Sequence, residues 1–219
     1  MATDRLKIYN GALLICSERE LASLSENVAA RHMLDLVWND AGVRYCLEQA
    51  QWHFAMRSSR LDYNASIAPD WGFRKVFDKP TDWVATSGVF QDEYLTTPLL
   101  RYADEVAYWF CDLEQIFVKY VSDDAAFGGD LSRWPASFIE YVKAYFASRI
   151  VRKLPGGSEK IDDICHPKTG VLAKALLVAK NKAAMTQPAT FPSRGTWAAA
   201  RFRGLQTRRD GGNTNQLIG

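Results

Sequence analysis

A change of periodicity at residues 52–55 constrains this chain more than any other feature. Upstream, Ala30, Leu34, Val37, Ala41 and Tyr45 recur at spacings of three and four, which places them on one buried helical face. That stretch closes on Trp52-His53-Phe54-Ala55, and the sequence then turns aromatic and strand-like. The switch predicts a helical platform carrying a β insert. Such an architecture is suited to contacts rather than chemistry, and no catalytic motif accompanies it.

Further helices can be placed around this one. Over residues 5–16, Leu6, Tyr9, Leu13 and Cys16 share a face; Ser17-Glu18-Arg19-Glu20 breaks it, and Leu21 and Leu24 anchor a short connection. The second helix is predicted to run unbroken over residues 27–51, capped by Ser25 or Asn27. Gly42 weakens its middle by roughly 1 kcal/mol relative to Ala without breaking it. Trp52 and Phe54 then close the bottom of the helical core. Pro135 suits the first turn of a later helix, where its missing N–H costs nothing. Phe138, Tyr141, Val142, Tyr145 and Phe146 give that helix a broad apolar stripe as far as Lys153. Pro155-Gly156-Gly157 stops it, a short turn follows around residues 161–164, and a last helix spans 171–185. Leu172, Ala175, Leu176, Ala179 and Ala183 form its inner side; Lys174, Lys180 and Lys182 are solvated.

Between the helical parts, twelve of residues 71–120 are aromatic, against 27 in the whole chain of 219. Aromatic enrichment at this level favours strands. Val106, Tyr108 and Phe110 alternate with Ala107, Trp109 and Cys111; Ile116, Val118 and Tyr120 alternate with Phe117, Lys119 and Val121. Both faces are apolar, which predicts a sheet covered on both sides. Asp112-Leu113-Glu114-Gln115 joins the two strands as a hairpin. Further strands are predicted at 73–77, 83–86 and 99–102, punctuated by Pro80 and Pro98. The fold class that follows is mainly α with a β insert: a bundle of about four helices from residues 1–70 and 122–185, a small antiparallel β subdomain over 71–121, and an extended C-terminal arm over 186–219.

Charge is uneven along the chain. The formal net charge is +2, but residues 1–185 hold 22 basic and 24 acidic side chains, whereas residues 186–219 hold five Arg and one Asp. The arm has two Pro and five Gly, too little apolar surface to offset its own ordering entropy. Yet Phe191, Trp197, Phe202 and Leu205 lie among its arginines. Fully extended it would reach on the order of 110 Å. The economical reading is an arm that orders on a partner. Its arginines suit phosphates, acidic groups of a protein, or simple solubility; interleaved aromatics favour the protein, because Arg and aromatic residues are the usual interface anchors.

Other chemistry finds little support. No apolar run of about 18 residues predicts a membrane span, and Met1-Ala2-Thr3-Asp4 lacks the regions of a signal peptide. Cys16, Cys46, Cys111 and Cys165 are scattered without metal-ligand spacing and are expected to be reduced. Gly128-Gly129 and Gly156-Gly157 lack the lysine of a phosphate loop. His32 reads as a surface residue and His53 as a packed or hydrogen-bonded one. Cys165-His166 is the one pair that resembles a nucleophile and base, but adjacent loop residues rarely face each other. Asp123-Asp124 and Asp162-Asp163 read as solvated turn caps. No cofactor or metal site is predicted.

The ordered set of segments resembles a known family, the head-to-tail adaptor (connector) proteins of tailed bacteriophages, called tail tubular protein A in podophages. The matching segments are Ile8-Tyr9-Asn10-Gly11-Ala12-Leu13-Leu14; Arg19-Glu20-Leu21-Ala22-Ser23-Leu24-Ser25-Glu26; Trp52-His53-Phe54-Ala55; Lys79-Pro80-Thr81-Asp82-Trp83; Ile116-Phe117-Val118-Lys119-Tyr120-Val121; and Trp134-Pro135-Ala136-Ser137-Phe138. They run in order over nearly the whole chain. One departure is visible: the family turns after its first helix at a Gly-Glu element, and Cys16-Ser17-Glu18 stands there instead, so a different turn shape is predicted.

The resemblance implies a structural protein of the virion, at the head-to-tail interface, made in the host cytoplasm. It implies a ring of twelve subunits below the portal protein that extends the DNA channel and takes part in genome ejection. Double-stranded DNA would pass through without sequence-specific contact. The bundle would form the ring wall, the β insert would face a downstream tail or nozzle protein, and the arm would grip the portal. On that reading Phe191, Arg194, Trp197, Arg201, Phe202 and Arg203 are the portal-binding residues. The alternative is a DNA-binding or packaging-associated protein that uses the Arg-rich arm.

Overall fold

The structure, a computed structural model, describes residues 4–186 apart from Trp71 and Pro155, all within one compact unit. The described residues form six helices and two three-stranded antiparallel sheets. The helices are α1 (Arg5–Ile15), α2 (Ala29–Asn39), α3 (Gly42–Glu48), α4 (Ala136–Ile150), α5 (Gly157–Cys165) and α6 (Val171–Thr186). The strands are β1 (Met56–Asp62), β2 (Lys75–Asp78), β3 (Trp83–Phe90), β4 (Ala103–Asp104), β5 (Tyr108–Cys111) and β6 (Gln115–Ser122).

Helix α4 is the hub of the helical part, and all five other helices pack on it. Its faces supply Phe138, Tyr141, Val142, Phe146, Ala147 and Ile150 to a core shared with Ile8, Tyr9, Leu13, Leu34, Leu47 and Trp52. Asp35 of α2 clasps α1, accepting from Arg5 (2.6 Å) and from the Tyr9 hydroxyl (2.9 Å). At the end of α1, Ser17 adopts a left-handed φ of 56°. Its N–H donates to the Leu14 carbonyl (3.0 Å), and that of Glu18 to the Leu13 carbonyl (2.9 Å). These are the two bonds of a Schellman cap. The departure from glycine therefore leaves the left-handed turn in place and carries its steric cost on a serine.

The long second helix is not continuous. Ala41 takes a left-handed φ of 55° and separates α2 from α3. Gly42 then lies so close to the preceding turn that a Cβ there would sit 2.5 Å from the Val37 carbonyl oxygen. The stretch after Pro155, expected to hold only a short turn, contains the nine residues of α5.

The expected four-helix bundle with a β insert is not what forms; the fold is mixed α and β. Two physical reasons stand out. The break at Ala41 leaves α2 and α3 too short to run the length of a bundle. The sheets also begin earlier than expected, because Met56–Asp62 pairs along its whole length with β6, from Met56 opposite Val121 to Asp62 opposite Gln115. Its polar sequence Arg57-Ser58-Ser59-Arg60 suits an edge strand but conceals it from hydrophobic patterning.

One sheet has the order β1-β6-β3 and the other β2-β5-β4. Strands β5 and β6 therefore belong to different sheets, and the predicted hairpin through residues 112–115 is instead a crossing between them. Phe77, Val89, Trp109, Cys111, Ile116, Val118 and Tyr120 form a second core that draws on both sheets. Val84 of β3 and Val121 of β6 point the other way and belong to the helical core. Register shifts at Trp83/Ala85 and Thr86/Gly88 let one strand serve both cores. The β1-β6-β3 sheet is thus covered on both faces only near the helices; Phe117 and Lys119 are half-buried.

Candidate interaction site

The six arm residues Phe191, Arg194, Trp197, Arg201, Phe202 and Arg203 lie outside the described residues. What the described residues offer is a polar joint, an apolar cavity, and stretches of sequence with opposite net charge.

The joint is built by the Lys79-Pro80-Thr81-Asp82-Trp83 segment. Asp82 receives Arg57 of β1 (2.9 Å) and the Ser122 hydroxyl of β6, and its carbonyl accepts from the Asp123 N–H (3.1 Å). Arg44 of α3 reaches across to Asp123 (2.6 Å) and to the Trp83 carbonyl. Burial works against charge on Asp82, but the bonds from Ser122 and Arg57 outweigh it and hold the carboxyl below its ordinary range. Lys79 is nearly buried against the Trp83 ring (3.7 Å from its centre) and pairs with Asp104. Asp104 is likewise held below the ordinary range, with burial opposed by bonds from Lys79, Thr86 and Trp109.

The cavity lies where Trp52-His53-Phe54 meets Pro135-Ala136-Ser137-Phe138 and the end of α6. Phe138 packs on Trp52 (4.8 Å between ring centres), Phe54 (4.9 Å) and Trp134 (5.0 Å). The Trp52 indole N–H is anchored on the Cys46 carbonyl (3.1 Å), and that of Trp134 on the Gly128 carbonyl (2.8 Å). The apolar residues that α6 contributes to the lining are the small Ala179 and Ala183, and the open volume is about 330 Å³. Lys182 and Thr186 stand at its rim, with Thr186 hydrogen-bonded to His53 Nδ1 (3.2 Å).

Neither a family model nor a curated protein matches the chain.

Charge separates by region. Residues 4–130 carry 12 Lys or Arg and 20 Asp or Glu, whereas residues 131–186 carry 10 and 4. Among the described residues, none of the eight Lys or Arg side chains from Arg149 to Lys182 is in an ion pair. The outer face of α6 also exposes Val171, Leu177, Val178 and Met185 beside its lysines. On the β side, Tyr94, Leu100 and Val106 are exposed.

The remaining residues singled out from sequence fall into structural roles. His166 Nδ1 accepts from the Thr169 N–H (3.1 Å) and so closes a turn, while the Cys165 thiol lies on the Ser148 carbonyl (3.9 Å). His32 contacts Asn27 (2.9 Å) at the surface, and His53 is exposed and hydrogen-bonded to Thr186 (3.2 Å). Asp124 caps the Ala126 N–H (2.8 Å). All four cysteines are free thiols, and burial pushes that of Cys46 up to about 12. Among the described residues no group of His, Cys, Asp and Glu could hold a metal ion, and no helix is long and apolar enough to cross a membrane. The role of Ala179 and Ala183 as a cavity wall was missed. Its only trace in the sequence is a pair of alanines four apart where larger apolar residues would complete a core face.

Proposed function

We propose that this chain is a structural virion protein, a head-to-tail adaptor of a tailed bacteriophage whose copies sit below the portal, extend the DNA channel and dock the tail. One observation carries the reading: the segments on which the family resemblance rests are joints of the fold. Trp52-His53-Phe54-Ala55 and Trp134-Pro135-Ala136-Ser137-Phe138 are distant in sequence yet meet in one aromatic cluster. Lys79-Pro80-Thr81-Asp82-Trp83 ties two strands to a helix through Asp82 and its neighbours. A match confined to surface positions would say little about shared architecture; a match at joints bears on how the elements are held together.

In this reading the arm is the anchor, with Trp197 and Phe202 as apolar plugs and Arg194, Arg201 and Arg203 as charged contacts to the portal. Many copies of a weak arm contact gain strongly from multivalency. The experiment is co-sedimentation and imaging of full-length protein with portal rings of the same virus, beside a chain truncated after Met185. The expected result is a stacked assembly formed by the full-length chain alone. Trp197→Ala combined with Phe202→Ala should abolish it, and unchanged binding would remove these residues from the anchor.

The cations from Arg149 to Lys182, none in an ion pair among the described residues, favour a second reading, DNA binding aided by the arginines of the arm. Its affinity would fall steeply with salt, because phosphate contacts release counterions. A flat salt response eliminates it.

A further inference from the structure

We propose that the cavity walled by Trp52, Phe54, Phe138, Ala179 and Ala183 is a docking site for Tyr94 of a second copy of this chain, with Glu93 of that copy paired to Lys182 at the rim.

The receiving side is preformed. Its aromatic wall is fixed by the indole bonds of Trp52 and Trp134 and by ring packing on Phe138, so little reorganises when a ring enters. Its α6 side is lined by Ala179 and Ala183 with Lys182 and Thr186, and the open volume of about 330 Å³ accepts one aromatic side chain. Apolar lining with a few polar groups at the rim is the usual form of a binding pocket. No carboxylate lines this one, and Lys182 is exposed without an ion pair among the described residues. An aromatic ring next to a carboxylate therefore fits it, and a ring next to a cation does not.

The molecule displays such a group. Tyr94 is 78% exposed at the tip of the loop after β3, and Glu93 beside it is exposed. The loop is held from within. Asp92 accepts from the Thr96 N–H (3.0 Å), the Thr96 hydroxyl (2.6 Å) and the Thr97 N–H (2.7 Å), while Gln91 N–H donates to the Thr97 carbonyl (3.0 Å). A tyrosine presented on a braced loop loses little conformational freedom on docking. Each copy carries both loop and cavity, and the two share no residue. Insertion in one direction makes the contact heterologous, and repetition closes a ring or extends a filament, whereas reciprocal insertion closes a two-fold dimer.

The inference stands apart from the adaptor reading, since it rests on this surface chemistry and needs neither portal nor arm. The test uses full-length protein with labelled alanine methyl groups, followed by NMR from micromolar to millimolar concentration. The Ala179 and Ala183 methyl signals should shift as concentration rises. Tyr94→Ala should weaken the association about tenfold or more, as expected for a central aromatic anchor. Glu93→Lys or Lys182→Glu alone should each weaken it by about three- to fivefold, and mixing these two variants should restore it, because each then supplies the charge the other lacks. All three substitutions are at exposed positions and leave the fold intact. Methyl signals that do not move with concentration overturn the proposal. So does an association that Tyr94→Ala leaves unchanged, which would assign the cavity to another occupant. Either failure leaves the portal experiment standing.

Discussion

Asp82 is the residue whose role can be argued most fully. Its carboxylate receives a guanidinium from one strand and a hydroxyl from another, and its own carbonyl holds the start of the loop that Arg44 grips. Asp82→Asn removes the charge while keeping the shape, leaving Arg57 facing a neutral amide. The expected cost is about 2 kcal/mol, the scale of a hydrogen bond to a charged group, read as a lower urea midpoint at neutral pH. The pH dependence has a definite sign. The folded carboxyl is held below its unfolded value, so its stabilisation is complete above the ordinary carboxylate range and is lost as pH falls through the folded value. The gap between wild type and Asp82→Asn should therefore close on acidification. A gap that stays constant into acid would mean the charge contributes nothing and that only the shape of the side chain matters.

Two elements end on residues that dislike their own geometry. Ser17 at φ 56° and Ala41 at φ 55° hold left-handed positions that glycine occupies without steric cost. Ser17→Gly and Ala41→Gly should each raise stability by a few tenths of a kcal/mol to about 1 kcal/mol, because relief of strain exceeds the extra entropy given to the unfolded chain. Thermal unfolding of the single variants checks this, and a lower melting temperature in both would refute the strain argument. The same sites show why some elements were legible in sequence and others were not. Helices α1, α4 and α6 were readable because long apolar stripes recur at helical spacing, and Pro135 marked where α4 begins. The break at Ala41 was not, since neither Ala nor Asp40 announces a left-handed turn. Strand β1 was hidden because an edge strand can be polar on both faces. The alternation at 106–111 and 116–121 marked strands correctly but said nothing of their partners, which are set by register against β1, β2 and β3. In the candidate site, the aromatic wall was visible as Trp52-His53-Phe54, whereas the cavity was not, because it arises from what Ala179 and Ala183 fail to fill.

For the described unit as a whole, the decisive fact is that one sheet serves two cores. Val84 and Val121 pack with the helices, while Val89, Ile116 and Val118 on the same two strands pack between the sheets. Arg44 adds polar ties across the same boundary, to Asp123 beside the Asp82 joint and to the Trp83 carbonyl. An insert hung on a bundle by loops alone would melt separately from it; strands shared between cores couple the two, because unfolding either removes the partner surface of the other. The prediction is a single cooperative transition. Trp38 reports the helical core through its packing on Tyr9 and Phe146, and Trp109 reports the sheet core. With fluorotryptophan incorporated, the native fluorine signals of both should disappear at the same urea concentration, and Asp82→Asn should move both midpoints together. If Trp109 were lost well before Trp38, the sheets would be an independent subdomain. The shared valines would then be too weak a link to make one folding unit of helices and strands.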